Sequence, residues 1–64
     1  MNDIEIVIQR LIELNLAQNA SEAEQWLHNE TTPGFKKTGI ELIQEGLTDD
    51  LLEELERVAS GGYA

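Results

Sequence analysis

Sixty-four residues with a formal net charge of −9, a pI near 4.2 and no cysteine exclude several classes at once. The length allows one domain. The charge repels nucleic-acid phosphates and anionic membranes and favours a basic partner surface. One His and no Cys exclude disulfides and the usual structural zinc sites, and fit a reducing cytoplasm. A chain this short buries only about 60% of the surface exposed by its unfolded form, so sharing a core through oligomerisation or complex formation is an expectation from size alone. Its 41% hydrophobic content is that of a globular domain, not of a disordered acidic tail. There is no apolar run long enough to span a bilayer, and the start Met1-Asn2-Asp3-Ile4-Glu5 lacks the basic region of a secretory signal.

In chain order, Asn2 or Asp3 can cap a first helix over residues 3–15. Ile4, Val7, Ile8, Leu11 and Ile12 fall on one stripe, with Asp3 and Glu5 in the dipole-favoured first turn and Asn15 closing it. The β-branched residues at 4–8 admit a short strand as the rival. A polar link at 16–20 leads to Ser21-Glu22-Ala23-Glu24, read as a capping box opening a helix over 22–29, with Ala23, Trp26 and Leu27 inward. Trp26 is read as a core anchor. Residues 29–34, with Pro33-Gly34, form a turn that Phe35 pins to the core. Lys36 and Lys37 are too few for a nucleic-acid patch. Thr38-Gly39-Ile40-Glu41 is a second capping box, for a helix over 39–45 with Ile40, Ile43 and Leu47 on one side, closed by Gly46 in left-handed conformation. Thr48 is expected to cap the last helix, 49–59, whose stripe is Leu51, Leu55 and Val58.

The expected fold is therefore all-α, a small bundle of about four short helices in a single domain, residues 1–64. Its core should include Val7, Leu11, Trp26, Leu27, Ile40, Ile43, Leu51, Leu55 and Val58. No catalytic constellation emerges. His28 near a helix end reads as dipole support, and adjacent Asp49 and Asp50 do not face one another and serve the helix N-terminus. No calcium or phosphate loop is present, so no enzyme activity, cofactor or metal ligand is predicted.

One ordered set of landmarks remains: Trp26-Leu27, Thr38, Ile40, Leu42, Ile43, Gly46, Asp50, Leu51, Leu55, Arg57, Val58, then Gly61, Tyr63 and Ala64. In this order they resemble the toxin-binding domain of Xre/MbcA/ParS-type antitoxins, over residues 26–64. Gly39 departs from a Pro common in that family, and the loop at 29–37 is poorer in Pro and Gly. The resemblance implies a cytoplasmic, non-catalytic protein-binding module that inhibits a RES-type, NAD-consuming toxin through an inhibitory tail of Gly61, Gly62, Tyr63 and Ala64, with Arg57 beside it. A glycine pair suits an unusual exit from a helix, and a tyrosine is a large, low-entropy anchor. Most members also carry a DNA-binding helix-turn-helix; residues 1–25 are too short and too acidic for one, and direct nucleic-acid binding is not carried over. Residues 12–23 resemble more weakly the helix–turn–helix part of ribbon-helix-helix repressors, but the preceding segment has no Lys or Arg to read DNA. Two other readings stay open: an acidic adaptor of another cytoplasmic protein, and a phage-type inhibitor that imitates nucleic acid.

Overall fold

The computed structural model describes residues 2–61. Four helices and a minimal hairpin follow in the order α1 (Asp3–Glu13), α2 (Ala20–Asn29), β1 (Thr31–Thr32), β2 (Lys37–Thr38), α3 (Gly39–Gln44) and α4 (Thr48–Ala59). The all-α expectation holds, and residues 4–8 are helical rather than a strand.

Local signals set most helix ends. Asn2 Oδ1 accepts the Glu5 amide at 2.8 Å and opens α1. At its other end Asn15 adopts φ 60°, and the Leu16 amide donates back to the Leu11 carbonyl at 2.9 Å. Gly46 closes α3 in the same way, at φ 80°, with the Leu47 amide on the Leu42 carbonyl at 2.9 Å. Both are Schellman turns, which satisfy carbonyls that the helix itself leaves open. Asn tolerates the left-handed region because its short polar side chain bonds locally.

Two caps differ from the sequence reading. α2 opens at Asn19, not Ser21: Asn19 Oδ1 accepts the Glu22 amide at 2.8 Å, and Glu22 reaches back to the Gln18 amide at 3.2 Å. The cause lies upstream. The amide of buried Ala17 donates to the Leu11 carbonyl, so the chain is already turned when it reaches Asn19. Thr48 does not cap α4 either; Leu47 occupies the N-cap position without a side-chain bond. The Thr48 hydroxyl instead donates to Asp3 Oδ2 at 2.9 Å. Further along the same two helices, Arg10 Nη1 meets Glu56 Oε1 at 3.4 Å. These two cross-links, in matching order, set α1 and α4 side by side and parallel.

The expected loop contains an antiparallel pair, with Thr31 opposite Thr38 and Thr32 opposite Lys37. Pro33 and Gly34 (φ 88°) occupy the centre of its turn, and the Phe35 amide donates to the Thr32 carbonyl at 3.1 Å. Proline before a positive-φ glycine is the preferred pairing for this type of turn.

α2 and α4 lie across from each other, each packed chiefly on α1 and α3. Between them sit Val7, Leu11, Ala17, Ala23, Leu27, Leu42, Leu51 and Leu55, all buried. The expected core needs correcting in three helices: in α3, Leu42 is the fully buried residue, while Ile40 and Ile43 flank it half-buried. Trp26 and Val58 are also half-buried rather than internal. Buried Gly39 lets the start of α3 approach α2. A methyl group there would collide with Leu27 Cδ2 and lie 3.3 Å from Trp26 Cζ3.

Candidate protein-binding site

Among the residues expected to bind a partner, Arg57 and Gly61 lie within the described structure; Gly62, Tyr63 and Ala64 lie outside it. Arg57 sits in the last turn of α4, where a cation complements the helix dipole. Its Nη1 donates to Glu54 Oε1 at 2.7 Å, one turn back. Glu54 is only 5% exposed, and its second oxygen, Oε2, has no hydrogen-bond partner among the described residues. The guanidinium is thus tethered from below while its side chain stays 53% exposed. The Ser60 hydroxyl donates to the Arg57 carbonyl at 2.9 Å. Gly61 then takes φ 84°, and its amide donates to the Val58 carbonyl at 3.1 Å. This left-handed residue closes the helix, as a glycine after a helix commonly does.

The burial of Glu54 escaped the sequence reading, which placed only Leu51, Leu55 and Val58 on the inner face. Its position three residues after Leu51 and one before Leu55 was the available signal.

Surface charge is unevenly paired. Arg10 meets Glu13 and Glu56 at 3.4 Å each, Lys37 meets Glu45 at 2.6 Å, and Arg57 meets Glu54. Lys36 has no acidic partner among the described residues. Of 13 Asp and Glu residues, four take part in these pairs, which leaves nine outside any ion pair among the described residues. Glu41 is stabilised differently. The Thr38 backbone N–H at 3.0 Å, then the Thr38 hydroxyl, and more weakly the charge of Lys37, hold its carboxyl below the usual glutamate range. The reciprocal bond from the Glu41 amide to Thr38 Oγ1, 3.2 Å, completes the capping box read from the sequence.

The outer surface of α2 carries two shallow depressions. One, about 290 Å³, is lined by Ser21, Glu24, Gln25, His28 and Asn29. The other, about 260 Å³, is lined by Leu16, Glu22, Gln25, Trp26, Asn29 and Glu30. Both are open to solvent. Among the described residues no three His, Asp or Glu side chains converge where they could hold a metal ion, and no helix is long and apolar enough to cross a membrane.

No protein-family model, curated protein or solved structure matches the chain.

Proposed function

We propose that this chain is a non-catalytic, cytoplasmic protein-binding module that neutralises a RES-type, NAD-consuming toxin, in the manner of the antitoxin domains it resembles. The observation that carries the reading is the end of α4. Arg57 is tethered by Glu54, left-handed Gly61 closes the helix, and Gly62, Tyr63 and Ala64 follow it in the sequence. On this reading the helix end holds Arg57 in place, and Tyr63 supplies a large anchor that fills a pocket on the toxin. Nine carboxylates outside any ion pair among the described residues would speed docking if the toxin surface around its active site is basic.

The test is co-expression of the chain with a RES-domain toxin in bacteria, with growth and cellular NAD as readouts, followed by binding measurements on the purified pair. The full chain should restore both, and deletion of residues 62–64 should abolish the rescue. Tyr63→Ala should weaken binding by about 30-fold or more, the loss expected when an interface tyrosine is truncated. Its thermal melt should stay within about 0.5 kcal/mol of the parent. Failure of the full chain to bind, or undiminished binding by Tyr63→Ala, overturns the proposal.

A further inference from the structure

The groove beside Trp26 joins an aromatic side chain to acidic ones. Glu22, Trp26 and Glu30 recur every fourth residue, so a carboxylate, an indole and a second carboxylate follow one another along one face of α2 and its C-cap. Leu16, from the α1–α2 link, and the amides of Gln25 and Asn29 complete the lining. The indole is held from behind. Trp26 packs against the core, and its Cζ3 lies over Gly39, where even a methyl group would crowd it. Trp26 stays half-buried and lines the groove. Glu22 is also oriented, because its Oε1 accepts the Gln18 amide.

We propose that this groove docks an arginine side chain of a partner protein. A guanidinium stacks on an indole face, and its planar fork of N–H donors matches carboxylates at either side. Among the described residues no Lys or Arg lines the groove, and Lys36 makes no ion pair there. Arg10, Lys37 and Arg57 pair elsewhere, and neither Glu22 nor Glu30 has an ion-pair partner among the described residues. A second copy of the chain is a poor occupant, since two molecules at −9 repel each other. A phosphate backbone is repelled for the same reason. An arginine on a basic protein surface satisfies both the indole and the charge. This docking point is independent of residues 62–64, so it stands or falls apart from the toxin reading.

Trp26 is the only tryptophan, so its indole N–H gives a single signal in a nitrogen–proton correlation spectrum. The full-length chain is titrated with the blocked tripeptide acetyl-Gly-Arg-Gly-amide, and in parallel with its citrulline counterpart, which keeps the shape and lacks the charge. The arginine peptide should shift the Trp26 indole signal and the backbone amides of Glu22, Gln25, Asn29 and Glu30 saturably, with a millimolar Kd of roughly 1–50 mM, the strength of an exposed cation–π contact with carboxylate support. The citrulline peptide should not. The Glu22→Gln/Glu30→Gln double variant keeps an oxygen for the Gln18 amide and should bind at least about fivefold more weakly. A chain lacking residues 62–64 should respond like the parent. Equal shifts with both peptides, unchanged affinity in a double variant with an otherwise parental spectrum, or no saturable shift at Trp26 overturns the proposal.

Discussion

Gly39→Ala isolates the closest approach between two helices of this bundle. By propensity alone the substitution should help, because alanine restricts the unfolded chain by about 0.4–1 kcal/mol at a site whose backbone it can adopt. Gly39 does not show the positive φ found at Gly34, Gly46 and Gly61. Packing opposes the gain. The added methyl group would collide with Leu27 Cδ2, and Leu27 is fully buried with its backbone Cα only 3.6 Å from the new atom. It would also press on Trp26 Cζ3 at 3.3 Å. Overpacking of this kind costs about 1–3 kcal/mol, so the net effect should be a loss centred near about 1 kcal/mol, within about 0–2.6. For a domain of this size a loss of about 1 kcal/mol lowers Tm by roughly 4–8 °C. The assay is urea unfolding followed by Trp26 fluorescence, with a thermal melt by circular dichroism. Folded Gly39→Ala should also show a shifted Trp26 emission maximum. Gly46→Ala is the contrasting case: nothing lies near its Cβ position, and only its φ of 80° resists the change. That variant should lose stability, by about 1–2 kcal/mol, with parental emission. A Gly39→Ala protein at least as stable as the parent would refute the packing argument.

Leu42→Ala should destabilise by about 2–5 kcal/mol, enough to unfold much of a domain that holds about 3–5, whereas Ile40→Ala should cost clearly less because Ile40 is half-buried; comparison of urea midpoints checks the order. Glu41 has a lowered folded-state pKa, so its contribution is present above the unfolded value near 4.5 and is lost as pH falls through the folded value. Glu41→Gln should therefore be less stable than the parent near neutral pH, with the gap narrowing in acid; stability measured from about pH 7 to about pH 3 gives the test. Glu54→Leu should raise stability by about 1 kcal/mol, since it removes a buried oxygen without a partner while exposed Arg57 stays hydrated. A lower urea midpoint for Glu54→Leu would mean that the Arg57 bond outweighs the burial of Oε2.

Helix existence and most helix ends were determined by the sequence itself. Asn2, Asn15, the Thr38–Glu41 box and Gly46 act on groups within about five residues of themselves, so their chemistry is readable locally. At Ser21 and Asn19 two nearby cap residues were available, and the structure uses Asn19. Thr48 looked like a cap because threonine is a good one, yet its hydroxyl found Asp3, 45 positions away in the chain. In α3 the apolar residues at 40, 42 and 43 surround a six-residue helix too short to define a stripe, and packing on α2 and α4 selected Leu42. The candidate site divides in the same way. Gly61 and Arg57 were legible as the end of a helix. The burial of Glu54 and the seating of Trp26 against Gly39 depended on which helix faces met. Caps and turns are bonds between near neighbours in the chain; the choice of a buried face is a competition among all apolar surfaces at once, and only the tertiary structure decides it.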